Sequence, residues 1–304
     1  MDLYRTPRDA TPPPRKTRGE EPEFPKDRDP GAAAMLEALA RRRTSHGAVS
    51  PLPVRKEHKQ LLMEAAAMAP SYLNSQPWRF VLIEDRDTIE EIADLEGAAY
   101  RGVVGGGSWL RRYGRWMHFS RAEAERSGDG VVVELPRSLR PLERIVSDRA
   151  TTPLGTAAMR LLGIPRRLAE QNRALVAGSP LLVAVLVDRS GMPDDEKLWT
   201  YSVFGASASI QNVWLAASSV GLGMNFVNAI SEDAQAWEKV ESLLRVPRRW
   251  ELLFLFRAGY LPGADRKLDF GWQTRHRKPI QSYVFLENCE RPADAEFDAL
   301  GGQR

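Results

Sequence analysis

Apolar positions along this chain recur in two rhythms, a helical spacing of three to four residues and short continuous runs, and together they lay out a set of helices and strands. Ala, Leu and Met crowd residues 32–39, which reads as a helix running into Arg41, Arg42 and Arg43. Pro51 and Pro53 punctuate the chain; Leu61, Leu62, Ala65 and Ala69 then predict an amphipathic helix over residues 54–68, ending near Pro70. Residues 80–83 read as a strand and residues 88–95 as a short helix with an acidic face. Residues 181–187 are an unbroken run of Leu, Val and Ala, the mark of a strand buried on both faces. Over residues 205–220, Ala206, Ile210, Val213, Trp214 and Ala217 cover most of a helix circumference, so that helix belongs in a core or a subunit interface. A strand-like stretch over 224–229, a helix over 233–244 and a strong strand over 251–258 complete the core.

Between residues 96 and 172 this order breaks down, which predicts an insertion that covers something. Gly105, Gly106 and Gly107 suggest a flexible loop, residues 109–119 an aromatic and basic amphipathic helix, and residues 154–168 a second helical patch. Packing against the core, a subunit contact and a lid are all open to it. Residues 1–33 are rich in Pro and charge with few periodic apolar positions, so they are expected to form a disordered arm, and 291–304 a polar tail. The region between, 34–290, is expected to be one domain.

Composition narrows the function classes. The hydrophobic content is 43%, and no apolar run approaches the roughly 20 residues that span a bilayer. The N-terminus lacks the apolar stretch of a signal peptide, and a single Cys289 rules out an intrachain disulfide, so a reducing cytoplasm is expected. His46, His58, His118 and His276 show no metal-ligand spacing. With 43 basic against 40 acidic residues the net charge is only +3, which does not demand a nucleic-acid partner.

The chemistry lies in local clusters. Arg41, Arg42 and Arg43 could be a solvated helix end or a phosphate clamp, for which the guanidinium fork is suited. A second basic cluster, Arg275, His276, Arg277 and Lys278, lies far away in sequence. Pro70, Ser71, Asn74, Gln76, Pro77 and Trp78 put small hydrogen-bonding residues between a helix and a strand, where a ligand could lie at the end of a sheet. Gly221 and Gly223 are not a dinucleotide fingerprint, because they precede a strand and a third glycine is missing; either could cap a helix.

In this order, the arginine segment, the Pro-Ser-x-x-Asn-x-Gln-Pro-Trp turn, the Gly-x-Gly strand and the C-terminal basic pair resemble the nitroreductase family of FMN flavoproteins, over roughly residues 34–290 apart from the insertion. The resemblance implies an α+β fold with a mostly antiparallel sheet flanked by helices, and an obligate homodimer with exchanged terminal segments. It places Arg42, Arg43, Thr44 and His46 on the FMN phosphate and ribityl groups, with Arg275 and Arg277 completing the phosphate site. Pro70, Ser71, Asn74 and Gln76 fall on a flavin-lining turn often supplied by the partner subunit, and Asn228 and Ala229 near flavin N5 and O4. His46 stands where the family usually has Arg or Lys, and Thr44 where Ser is usual.

The implied activity is an FMN-dependent oxidoreductase: NAD(P)H reduces the flavin, which then reduces a small nitroaromatic or quinone-like acceptor. Rivals are a specialised flavin reaction such as dehalogenation, dehydrogenation or flavin breakdown, a flavin-binding protein without activity, and a basic interaction module built on residues 1–43. Tyr113 and Trp116, beside Arg111, Arg112, Arg115 and Arg121, are expected to fold over the flavin and favour flat, anionic acceptors.

Overall fold

The structure, a computed structural model, describes residues 30–118, 120–134, 152–190, 195–262, 271–273, 277–278 and 282–290. Residues 1–29 of the expected 1–33 arm and the 291–304 tail lie outside the described residues, while residues 30–33 are helical rather than part of a disordered arm. The chain divides into two units at Ala40. In the first, helix α1 (Pro30–Arg41) realises the Ala/Leu-rich pattern and starts slightly earlier than the sequence suggests.

The second unit is built on a four-stranded antiparallel sheet in the order β1 (Trp78–Ile83), β4 (Leu181–Asp188), β6 (Trp250–Tyr260), β5 (Leu222–Phe226). β4 is central and explains its unbroken apolar run, because both of its faces are covered. Leu182, Ala184 and Leu186 pack on one side with Ile89, Ile92, Val176 and Val240. These come from helices α3 (Arg86–Gly106), α7 (Ile164–Ala177) and α9 (Ala234–Leu243). Leu181, Val183 and Val185 face the other way, against Leu62, Ile210, Val213 and Trp214, which belong to α2 (Lys56–Ala67) and α8 (Glu196–Ser219). The expected α+β architecture, helices flanking an antiparallel sheet, is therefore what forms.

The insertion differs from its sequence pattern at three places. α3 continues through Gly105 and Gly106 and stops only at Gly107, whose φ of 71° closes the helix. The glycines are held helical because Ala99, Tyr100 and Val104 bury their side chains, and at Gly97 a Cβ would stand 3.0 Å from Arg173 Cβ on α7. The aromatic segment is not one helix: α4 (Ser108–Tyr113) gives way to a 3-10 turn at Gly114–Trp116 and to strand β2 (Met117–His118). The later helical patch is two helices, α6 (Pro153–Leu161) and α7, separated by Gly163 at φ 68°. After β2 in sequence, α5 (Arg121–Ser127) leads to β3 (Val131–Glu134), which pairs with β2 and with β7 (Gly271–Gln273) as a second, small sheet.

α8 begins nine residues before the predicted helix and is not buried all round. Tyr201 and Phe204 are exposed beside Met68, Tyr72 and Leu73, so a patch of apolar side chains is left uncovered at one end of this helix. The Tyr72 and Tyr201 rings stack at 4.5 Å.

Candidate functional site

Residues 43–50 cross the end of β5 and β6 and carry the site. Thr44 bridges to Met224 in parallel, the Ser45 N–H donates to Met224 O (2.9 Å), and the Ser50 N–H donates to Tyr260 O (2.8 Å). Such a close crossing needs glycine beneath it. A Cβ on Gly223 would overlap the Ser45 side chain, and one on Gly259 would come within 2.6 Å of Val49 Cγ2. Gly223 is thus a close-approach residue, while Gly221, at φ 73°, follows the end of α8 as a helix-ending glycine.

The crossing segment is tied down by a residue that sequence reading missed. Arg257 on β6 is only 2% exposed and donates from Nη2 to Ser45 O (2.7 Å) and Gly47 O (2.9 Å). Burial lowers its pKa to about 10, so it remains a cation at neutral pH. His46 sits beside it. Burial, with the Arg257 charge adding to it, pushes the imidazole pKa down to about 4, so His46 is neutral at pH 7 and cannot act as a cationic stand-in for Arg or Lys. A neutral buried base loses stability as pH falls, because the unfolded chain takes up a proton near pH 6.5 while the folded one does not until about pH 4. His46→Gln should remove about 3 kcal/mol of acid destabilisation between those limits. Unfolding of wild type and variant compared at pH 7 and pH 4.5 checks this, and parallel losses would assign the acid sensitivity elsewhere.

Two spaces flank the segment and share Thr44. The first, about 110 Å³, is lined by Arg42, Arg43, Thr44 and Arg277. The two basic clusters of the sequence are therefore brought together, 234 positions separating Arg43 from Arg277. Partial burial, then the charges of Arg277 and Arg43, lower the Arg42 pKa, and that mutual repulsion is what an anion would relieve. The Arg42 guanidinium lies 5.3 Å over the Trp214 ring, whose Nε1–H donates to Arg43 O (3.3 Å). Arg275 lies outside the described residues.

The second space, about 300 Å³, is lined by both the core and the insertion. Thr44, His46, Asn225, Phe226, Asn228 and Ala229 form the core side. Tyr100, Trp109, Tyr113, Trp116 and Asn172 contribute from the 96–172 segment. Neighbouring rings follow one another, Tyr100 to Trp109 at 6.5 Å, Trp109 to Tyr113 at 5.9 Å and Tyr113 to Trp116 at 6.3 Å. Among the described residues no Lys, Arg, Asp or Glu lines this space. The arginines expected to offer charge there are placed otherwise. Arg112 pairs with Glu232 (2.8 Å), which also accepts from the Tyr113 hydroxyl (2.8 Å), and Arg115 lies 3.9 Å over the Trp116 ring. His46 Nε2 is buried with no hydrogen-bond partner among the described residues, a polar atom left for a ligand.

Asn225 and Asn172 were not singled out by sequence. The Ala229 N–H is already engaged, donating to Glu96 Oε1 (3.3 Å), and the Ile230 N–H donates to Glu96 Oε2 (2.8 Å). Ala229 thus borders the space through its other atoms.

Pro70, Ser71, Asn74 and Gln76 line neither space. They lie on the turn before β1, where the Gln76 N–H donates to Ser71 Oγ (2.9 Å) and the Gln76 amide to Asn74 Oδ1 (3.2 Å). Leu73, Asn74 and Gln76 take φ of 49°, 54° and 44°, a concentration of left-handed backbone that costs about 1 kcal/mol or more per residue and is typical of functional turns. Gly205 lets α8 approach this turn, since a Cβ there would stand 3.2 Å from Ser71 Cβ.

A cationic pocket joined through one threonine to an uncharged, aromatic-walled cavity, at the end of an antiparallel sheet flanked by helices, defines a protein built to hold an elongated ligand with an anion at one end and a ring at the other. The chain belongs to the nitroreductase family, whose pattern it matches over residues 39–260. It is 26% identical over 268 residues to the 5,6-dimethylbenzimidazole synthase of Rhodospirillum rubrum, covering 83% of this chain and 95% of that protein. Among solved structures it resembles B. megaterium NfrA1 at 14% identity, with a TM-score of 0.52 over 88% of this chain and 78% of that one. It also matches nitroreductase A from Vibrio parahaemolyticus at 15% identity and a TM-score of 0.49, over 89% and 82% of the two chains. At 14% identity the likeness to NfrA1 speaks for the fold alone.

Proposed function

We propose that this protein is an FMN-dependent oxidoreductase that uses NAD(P)H to reduce small conjugated acceptors, nitroaromatic or quinone-like. The observation that carries the reading is the joining of the Arg42, Arg43 and Arg277 pocket to the neutral aromatic cavity through Thr44. The donor set suits FMN: three guanidinium groups for a phosphate, the Thr44 hydroxyl and the unpartnered His46 Nε2 for the ribityl chain, and rings with asparagine amides for the flavin. FMN, when bound, supplies the redox chemistry itself. The chain's part is to anchor the phosphate, exclude water with the ring wall, and offer the Asn228 side chain at the flavin edge. The absorption spectrum of the purified protein tests the reading: a flavin spectrum that bleaches with NAD(P)H is expected, and a colourless protein that takes up no FMN would overturn it.

The site is completed, on this reading, by a second copy of the chain. The exposed Met68, Tyr72, Leu73, Tyr201 and Phe204 surround the strained turn that carries Ser71, Asn74 and Gln76, which reach neither space of their own chain. Burial of this patch in a homodimer would present the turn to the partner's flavin.

A second reading is favoured by the insertion's contribution to the cavity wall and by the benzimidazole synthase relative: the bound flavin is enclosed for a specialised reaction such as its own oxygen-dependent breakdown. Reduced FMN exposed to air with the protein should then yield a benzimidazole product, whereas simple reoxidation favours the first reading.

The ring wall gives a further prediction. Trp116→Ala or Tyr113→Ala should change kcat/KM on large acceptors by about tenfold relative to small ones, the scale of one lost aromatic contact of about 1 kcal/mol or slightly more. Turnover on a graded acceptor series checks this, with oligomeric state measured alongside; unaltered selectivity would reduce the insertion to packing.

A further inference from the structure

Glu96 is a buried ionisable group that FMN binding as proposed does not use. Glu96, on α3, is 1% exposed and fully enclosed, yet its described hydrogen bonds come only from the backbone N–H groups of Ala229 and Ile230. It stands one residue behind the cavity: Ala229, which donates to it, lines that space, and so does Tyr100, one helical turn further along α3. We propose that Glu96 is a positioning residue that holds the Asn228–Ile230 turn against the flavin edge and takes up a proton when negative charge enters the cavity.

Three observations bear on this. The two N–H groups belong to the turn that follows Asn228, so Glu96 is tied directly to that turn. Among the described residues no Lys, Arg or His donates to the carboxylate. Arg173 on α7 is held by Glu90 and Asp94, Arg160 on α6 donates to Gly105 O, and Arg112 on α4 pairs with Glu232. Glu232, in the same turn, is itself neutralised by that pair, and on α9 Asp233 is spent capping the helix through the Gln235 and Ala236 N–H groups. The ionisable group facing Glu96 most directly is Tyr100, whose phenol is pushed well up by burial and by the Glu96 charge, so it stays neutral. Burial drives the Glu96 carboxyl itself up to about 7, against the two N–H dipoles that favour its charged form. A carboxylate without a cation, near its midpoint at neutral pH, responds to a charge placed one residue away. Two unit charges at about 7 Å and an effective dielectric near 20 interact strongly enough to move such a group by more than one pH unit.

The proposal rests on FMN as the occupant. Reduction of FMN by two electrons with one proton leaves one negative charge on the flavin; where Glu96 is still ionised beforehand, above about pH 7, it then gains a second proton from solvent, so up to two protons accompany each electron pair there. Dithionite supplies the electrons in the test. The midpoint potential of the FMN-bound protein is measured from pH 6 to 9, for wild type and Glu96→Gln, together with the reduced-minus-oxidised infrared spectrum of wild type labelled with 13C-glutamate. Wild type should steepen from a one-proton towards a two-proton slope above about pH 7 and return to one proton more than one pH unit higher, and the variant should lack that steepening. A protonated carboxyl band should appear on reduction. If Glu96→Gln does not fold, the infrared band in wild type decides alone. Coincident slopes and no carboxyl band would overturn the role of Glu96 while leaving the FMN reading intact. Failure to bind FMN at all would remove that reading, and this role with it.

Discussion

Replacing Arg257 by Ala should cost the FMN-free protein about 2–4 kcal/mol, because two buried carbonyl oxygens, of Ser45 and Gly47, lose a charged donor and a cavity opens beneath them. Two effects oppose each other. Burying a guanidinium is unfavourable, as the lowered Arg257 pKa records, and removing it relieves that cost. The relief is incomplete, since the carbonyls it satisfied remain buried under the 43–50 crossing with no other donor from β6. Arg257→Lys should be milder, keeping the charge and one of the two hydrogen bonds. The FMN affinity of Arg257→Ala should fall too, because Thr44 and His46 hang on the segment that Arg257 anchors. Urea unfolding of the FMN-free protein, followed by FMN titration, measures both. Stability within about 0.5 kcal/mol of wild type, the range of ordinary surface substitutions, would show that the sheet bridges at Met224 and Tyr260 hold the segment unaided.

The second large effect concerns the cationic pocket. Arg277→Ala removes a charge-assisted contact of about 1.5–3 kcal/mol, so FMN affinity should fall about tenfold to a hundredfold. Riboflavin, which lacks the phosphate, should bind the variant nearly as well as wild type. Arg42→Ala should behave alike for FMN but also weaken riboflavin slightly, because Arg42 packs over Trp214 beneath the shared wall. Affinities of both ligands for both variants decide the matter. Equal losses for FMN and riboflavin with Arg277→Ala would mean that Arg277 supports the fold of the pocket rather than the phosphate. Higher salt should narrow the FMN difference, as expected for a partly exposed cluster.

Much of this was legible in the chain because it depends on periodicity and residue type. An unbroken Leu/Val/Ala run at 181–187 can satisfy water exclusion only as a strand covered on both faces, and so β4 is central. The two arginine clusters were readable as one phosphate site through the order of their motifs, and Arg42, Arg43 and Arg277 do converge. Where the reading failed, local signals were outweighed by packing. Glycines at 105 and 106 argue for a loop, but α3 runs through them because its buried face is worth more than their entropy. Gly114 breaks the aromatic helix that the spacing of Trp109, Tyr113 and Trp116 suggested, yet the three rings still reach one cavity, from a helix and a turn.

The sequence by itself determined the strands of the core, the helices that flank them, the cationic end of the site and the family, and the antiparallel order of those strands was implied only by the resemblance. Those follow from hydrophobic spacing and from motifs that are contiguous in the chain. Only the tertiary structure decided the charge of His46, since a histidine's protonation is set by burial and by Arg257, which lies 211 residues away. It also decided that the insertion's arginines do not line the cavity, which leaves an uncharged wall among the described residues, and that Glu96 and Arg257 stand behind the two loops of the site. A single buried Glu or Arg in an apolar pattern carries no periodic signal, and what it does depends on which backbone groups the fold brings against it.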